Sequence, residues 1–283
     1  KGNLSKEFNG PSGFGSEIVF FIKDLLFTLF YFSFREEKVD LFFGIDNLNT
    51  FAGIILNKLG KVNKVVYYVI DYVPNRFKNP ILNRIYHWVD FFCVKNSNQT
   101  WNLSDEMAKA RIKDGLPEKY LSKQITVPVG CHPIKNVVKK GEKKNRIVFL
   151  GNLSKEQGLE LLVDSMPEII KKVSDVKLIV IGSGAELEYL KNKVDKLKLE
   201  SFVEFKGFIK DNRVVNKILS SCHLGIAPYL VTFDSYKNFT DPGKIKTYLG
   251  AGIPVIMTNI SHIANIIKTR EAGVVVKNNT SDI

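Results

Sequence analysis

Apolar residues along this chain fall into short runs that alternate with amphipathic stretches from one end to the other. In the first half, residues 39–43, 64–70 and 91–94 are brief runs rich in valine and phenylalanine, the signature of buried strands. Residues 49–59 and 80–88 carry helical spacing between them. The stretch 97–113, which opens on Ser97 and holds Ser104, Asp105 and Glu106, predicts one or two further helices. The second half repeats the pattern more regularly. Strands are predicted at 147–150, 176–181, 202–205, 223–227, 254–257 and 273–276, and helices at 158–172, 185–197, 211–220 and 243–250. Glycine or proline punctuates nearly every junction. Such alternation belongs to parallel sheets covered by helices, so the expected fold is α/β, with two doubly wound parallel-sheet domains facing a cleft. Between residues 127 and 145 periodicity is lost and prolines, glycines and lysines collect. That divides the chain into a domain of residues 1–134, a linker of 135–145 and a domain of 146–283.

One segment departs from the pattern. Residues 18–34 are nearly all apolar and rich in aromatics, interrupted by Lys23 and Asp24 near the start. A membrane span needs about 20 such residues, so a buried helix or one resting on a bilayer surface is expected instead. The composition, 45% hydrophobic and 25% charged, excludes disordered and fibrous classes. A net charge of +12 favours anionic partners. The lysines are scattered and no zinc-finger or RNA-binding signature occurs, so nucleic acid is not an expected partner. Cys93, Cys131 and Cys222 lie far apart with no CxxC spacing, and His87, His132, His223 and His262 form no pair at metal or catalytic spacing. Neither a metal site nor a disulfide framework is expected, the histidines read as structural, and a reducing cytoplasm fits the cysteines. The chain begins at Lys1 and stops just after a predicted strand, and is expected to be part of a longer polypeptide.

Candidate chemistry concentrates in residues 241–256, which read as a loop, a helix and a buried strand. Polar side chains gather at the helix start, where free amides and the dipole make an anion site. Asp241 reads as an N-cap with Pro242 at the first helical position. Lys244 opposes the helix dipole unless a bound anion compensates it. Open parallel sheets bind ligands at the carboxyl ends of their strands. There the second half sets Gly151 and Asn152, Gly182 and Ser183, Phe208 and Ile209, and the segment from Asp234 to Lys244. Glycine at these turns either makes a tight turn or lets amides approach a phosphate or ribose. In the first half, Asp71 follows the strongest strand and either caps a turn ahead of Pro74 or serves as a base or hydroxyl ligand. Arg76, nearby, is a surface arginine or an acceptor-phosphate ligand. No Walker loop, GxSxG elbow or HExxH motif occurs.

The order IVFLGNLSKEQGLELLVDSMPEI, VKLIVIGSGAELEYLKNKV, VEFKGFIKDNRVVNKILSSCHLGIAPY, DPGKIKTYLGAGIPVIMT and EAGVVV resembles the donor domain of GT-B fold glycosyltransferases. The resemblance is greatest to the retaining enzymes of glycosyltransferase family four and runs from about residue 146 to 276. YYVIDYVPNRF and IYHWVDFFCVKNSNQTWNLSDEM are similar to acceptor-domain segments. It implies two Rossmann-like domains, transfer of a sugar from a nucleotide diphosphate donor with retention, and no essential metal or other cofactor. It also implies a donor base near Phe208 and Ile209, a ribose near Thr247, and a diphosphate near Gly151, Asn152 and the Lys244 helix. Taken with the net positive charge and the aromatic helix, the resemblance leads us to expect a polysaccharide, glycolipid or lipid-linked acceptor, with the inner face of the membrane as a further partner. The chain departs from the family pattern at five places. Asn152 and Gln157 replace an arginine and a lysine, Thr247 and Phe239 replace two glutamates, and Asp71 stands at a customary histidine. Lys244 is then the candidate replacement cation, and Asp241 or Asp234 the replacement carboxylate. Loss of these positions also raises the alternative of a non-catalytic nucleotide-sugar-binding or scaffold subunit.

Overall fold

A computed structural model describes residues 17–77, 79–134, 145–230, 239, 241–277 and 279. The chain forms two compact units, Lys1–Pro128 and Val129–Ile283.

Unit 1 runs α1 (Glu17–Ser33), β1 (Val39–Ile45), α2 (Asp46–Lys58), β2 (Val62–Val69), α3 (Pro80–Asn96), β3 (Gln99–Asn102), α4 (Asp105–Lys113), a 3-10 segment (Glu118–Lys123) and β4 (Gln124–Thr126). The strands are all parallel and lie in chain order, β1-β2-β3-β4. Right-handed crossovers in a sheet that grows in one direction lay their helices on one face. The core of the unit follows from that, with Val65, Tyr67 and Val69 buried alongside Ala52, Leu56, Cys93 and Met107. On the other face Leu41, Phe43 and Ile45 stay exposed, and Phe43 meets Trp101 edge-on at 5.1 Å.

Three expectations for this unit are corrected. Residues 91–94 are no strand but the last turns of α3, whose buried Val89, Asp90, Cys93 and Val94 recur at helical spacing. The Asn79 side chain starts that helix by accepting from the amides of Ile81 and Leu82. The stretch 97–113 opens with β3 rather than helix. Of the two placements expected for residues 18–34, the buried helix does not hold, since α1 has no buried residue from Val19 to Ser33.

Unit 2 contains β5 (Arg146–Leu150), α5 (Leu159–Lys172), β6 (Lys177–Ile181), α6 (Leu187–Lys196), β7 (Val203–Gly207), α7 (Asn212–Ser220), β8 (Leu224–Ala227), α8 (Gly243–Gly250), β9 (Val255–Thr258), α9 (Ser261–Thr269) and β10 (Gly273–Val276). Its parallel sheet has the order β10-β9-β8-β5-β6-β7. The chain therefore winds outward from β5 in one direction and then, after β7, returns to wind from β8 in the other. Helices consequently cover both faces. One core joins Leu159, Leu162 and Met166 of α5 to Leu190 and Val194 of α6. The other joins Val215 and Leu219 of α7 to Ile245 and Tyr248 of α8 and to Ile263 and Ile267 of α9. The helix α9 and the short strand β4 were not expected from the sequence. The first is nine residues of mostly β-branched apolar pattern, and the second is three residues long.

The division expected after residue 134 lies at Pro128/Val129. Residues 129–134 are fastened to α8. The Ile134 amide donates to the Gly250 carbonyl at 2.7 Å, the Cys131 thiol to the Lys246 carbonyl at 2.8 Å, and the Lys246 ammonium to the Val129 carbonyl.

Candidate functional site

Reversal of winding between β5 and β8 creates a crevice at their carboxyl ends, the place where such sheets take ligands. The ladder between these strands ends at Phe149 and Ile226. Beyond it, the Tyr248 hydroxyl of α8 accepts from the Leu150 amide at 2.7 Å and donates to the Ile226 carbonyl at 3.2 Å. Burial raises the pKa of this phenol well above its usual value, so it keeps the proton that Ile226 needs.

The loops after β5, β6 and β7 are stitched to one another. Gly151 N donates to Ile181 O at 3.0 Å, Leu153 N to Ser183 O at 2.9 Å, and Gly182 N to Gly207 O at 2.9 Å. Gly182 cannot be larger here, because a Cβ would lie 1.8 Å from the Gly151 carbonyl oxygen. A cavity of about 610 Å³ opens beside these loops. Of the donor-site residues expected from the sequence, it brings together Gly151, Asn152, Gly182, Ser183, Phe208, Ile209 and Thr247. Phe208 is 74% exposed, an open ring at the rim.

Lys244 and Gln157 stand together behind Gly151. The Lys244 ammonium donates to the Gln157 side-chain oxygen at 2.6 Å and lies 4.3 Å from the Phe149 ring centre and 4.9 Å from that of Tyr229. A Cβ on Gly151 would come within 2.8 Å of the same nitrogen. A cation from the first turn of α8 thus sits where the loop after β5 has a glutamine, held over aromatic faces. Thr247, a turn further on, donates to the Gly243 carbonyl at 3.0 Å.

Asp241 has a different place from the one expected. It is 4% exposed, and its carboxylate accepts from the Val129 amide at 3.1 Å and pairs with the Lys246 ammonium. It does not cap α8, whose N-cap is Pro242 with no side-chain hydrogen bond. The carboxylate is drawn toward residue 129, and so anchors the segment that walls the cavity. Asp234 lies outside the described residues.

Beyond apolar wall residues, four lining residues with polar or titratable side chains were not expected from the sequence: Cys131, His132, Asn212 and Asn216. His132 has no partner at metal or catalytic spacing in the sequence. Asn212 and Asn216 sit one turn apart at the start of α7, a spacing that puts both carboxamides on one side of the helix. That spacing was the available signal.

Asp71 and Arg76 belong to unit 1. Asp71 follows β2, and burial raises its carboxyl above the usual range while Arg76 opposes the shift. Asp46, which the sequence reading overlooked, opens α2 at the carboxyl end of β1 with φ 61°. Burial is the largest cause raising its pKa and the neighbouring Asp71 adds to it, against hydrogen bonds from the backbone at Ile70 and Asp71. Two carboxyl groups and a guanidinium thus share the strand ends of this sheet. Arg76 also lies 5.7 Å from the Tyr86 ring centre.

Residues 144–283 match the family model for glycosyl transferases group 1. Over 129 residues the chain is 28% identical to an uncharacterized glycosyltransferase of Methanocaldococcus jannaschii, which covers 45% of this chain and 30% of that protein. It is 22% identical over 224 residues to the GtfA subunit of the UDP-N-acetylglucosamine–peptide N-acetylglucosaminyltransferase of Streptococcus pneumoniae, covering 72% of this chain and 42% of that one. The chain thus spans less than half the length of either relative. Among solved structures it superposes on Anabaena HepE in complex with UDP with a TM-score of 0.69 at 16% identity, covering 93% of this chain and 69% of that one.

Proposed function

Since unit 2 belongs to the glycosyl transferases group 1 family, we propose that the protein is a glycosyltransferase that moves a sugar from a nucleotide diphosphate donor to a glycan or lipid-linked acceptor, with retention at the anomeric carbon. The observation that carries this reading is the Lys244 ammonium, hydrogen-bonded to Gln157 and within reach of Gly151 at the switch point of the sheet. Breaking the bond between the anomeric carbon and the diphosphate leaves negative charge on the departing phosphate. A fixed cation and the amides of the β5 loop stabilise that charge most when it is fully developed. The base then lies against Phe208 and Ile209, and the ribose near Thr247. The acceptor hydroxyl forms the new glycosidic bond and loses its proton, and Asp71 is the unit 1 carboxyl proposed to bind or take it. No residue here is assigned to a metal. The UDP in the HepE and GtfA structures supports a uridine nucleotide as the first donor to test. The apolar α1 supports a protein working peripherally at the inner face of a membrane.

Calorimetric titration with UDP- and GDP-sugars tests this reading. Binding of at least one donor is expected, and Lys244→Ala should weaken it by roughly 1.5 to 3 kcal/mol, the cost of a lost hydrogen bond to a charged group. Failure to bind any nucleotide sugar overturns the proposal. An unchanged affinity in the variant removes Lys244 from it.

A second reading, a nucleotide-sugar-binding subunit without turnover, is favoured by one observation. Asp241 is committed to Val129 and Lys246, and the cavity lining holds no carboxylate among the described residues. Donor binding with no transfer or hydrolysis across donors and acceptors would select it.

A further inference from the structure

Sugar transfer gives no account of the apolar rows on the outer sides of α1 and α3. Along α3, Ile81, Ile85 and Trp88 recur at helical spacing and are 66%, 53% and 59% exposed. On a globular surface that outer stripe would be polar. The indole of Trp88 is supported from behind, stacked on Phe92 at 5.9 Å and tilted against Phe51 at 6.4 Å. The exposed charges of this helix, Arg84 and Lys95, are both basic, because its one acid, Asp90, is fully buried against Arg111. Lys58 of α2 adds a third cation, with its ammonium 5.2 Å from the centre of the Phe92 ring. Both α1 and α3 pack against α2. On α1, Val19, Ile22, Leu26 and Phe30 recur at spacings of three and four, and Phe34 follows the helix end. All five are more than half exposed.

We propose that this helical layer is a docking surface for an anionic bilayer. The apolar rows of α1 and α3 enter the boundary between headgroups and acyl chains, and Lys58, Arg84 and Lys95 meet the headgroup charge. No described helix is long and apolar enough to cross a membrane, so the contact is in the plane of the surface. The charges select lipid over a second copy of the chain. A two-fold contact through α3 would bring Arg84 and Lys95 toward their own copies, with no exposed acid on α3 to receive them. An anionic lipid surface satisfies the apolar and the basic features together. The inference deepens the membrane station of the proposed glycosyltransferase and rests on that reading for its purpose, though not for its physics.

Sedimentation of the full chain with phosphatidylcholine vesicles, and with the same vesicles containing about a third phosphatidylglycerol, tests it. Each sample is also titrated with UDP and GDP. Binding to the anionic vesicles is expected, and much weaker binding to the neutral ones. Trp88→Glu combined with Ile85→Glu, and separately Phe30→Glu, should lower partitioning by roughly tenfold or more. Arg84→Glu with Lys95→Glu should do the same at low salt, with the difference from the parent shrinking at high salt. An unchanged circular dichroism spectrum and urea midpoint in these variants show that the fold of unit 1 is intact. The proposal is overturned if the parent stays in the supernatant with anionic vesicles or if folded variants partition like the parent. It is also overturned if light scattering shows a dimer that Trp88→Glu dissociates. Vesicle binding without nucleotide binding leaves the docking surface standing and removes the enzymatic reading. Nucleotide binding without vesicle binding does the reverse.

Discussion

Tyr248 does at the mouth of the second sheet what a backbone pair does along its length. Where β5 and β8 part, its hydroxyl takes the Leu150 amide and gives its own proton to the Ile226 carbonyl. Its ring fits because β8 has glycine at position 225, where an added Cβ would lie 2.4 Å from the ring carbon. Tyr248→Phe keeps the packing and strands the buried Leu150 amide, so it is expected to cost about 1 to 3 kcal/mol in urea unfolding. An unchanged midpoint would mean that the two strands close on each other and that the hydroxyl does not hold them apart. Nothing local in the sequence marks this residue. A tyrosine within an apolar helix face reads as core, and its polar role appears only when the switch point and the helix are in one frame. Lys244 was legible for the opposite reason, since a cation in the first turn of a helix runs against the dipole and asks for an explanation.

At the scale of elements, unit 1 is tied together by one buried polar knot. Arg111 of α4 forms a two-pronged pair with Asp90 of α3, at 2.7 and 3.0 Å, and donates to Asn102 of β3 at 2.7 Å. The Tyr67 hydroxyl of β2 donates to the same carboxylate at 2.5 Å, and the Tyr72 ring centre lies 4.7 Å from the guanidinium. Both charged side chains are fully buried. Arg111→Met would leave Asp90 buried and unpaired, at an expected cost of about 3 to 5 kcal/mol. Adding Asp90→Leu should recover a large part of it, because the charge that needed a partner is gone. A double variant no more stable than the single one would show that the knot's value lies in its geometry. The same knot explains a misread element. Asp90 interrupts an apolar run, so residues 91–94 look like a short strand after a polar break. Once Asp90 is turned inward toward Arg111, the helix continues unbroken to Asn96. Strand and helix readings of a four-residue apolar run are not separable by period alone.

For the whole molecule, regularity decided what could be read. In unit 2 the four inner strands β5, β6, β8 and β9 are largely buried, so they appear as compact apolar runs, and the edge strands β7 and β10, only partly buried, keep enough of the pattern that all six were located. In unit 1 the sheet buries one face, which blurs the runs and leaves Leu41, Phe43 and Ile45 exposed. The boundary between units was legible only as a loss of period, since what fixes residues 129–134 to unit 2 is contact with α8, more than a hundred residues later in the chain. Those contacts make a prediction about where the donor site ends. Cys131, His132 and Ile134 wall the cavity, and the buried Asp241 and Lys246 hold Val129. A polypeptide of residues 129–283 contains every described lining residue of the cavity and is expected to titrate a nucleotide as the full chain does. One beginning at residue 146 loses a wall and leaves Asp241 without its amide donor. It should bind roughly tenfold more weakly, a difference of about 1.4 kcal/mol, and unfold at lower urea. Equal affinity for the two polypeptides would confine the site to the sheet loops and α8. Loss of folding in the longer one as well would mean that unit 2 depends on the rest of the chain for its stability.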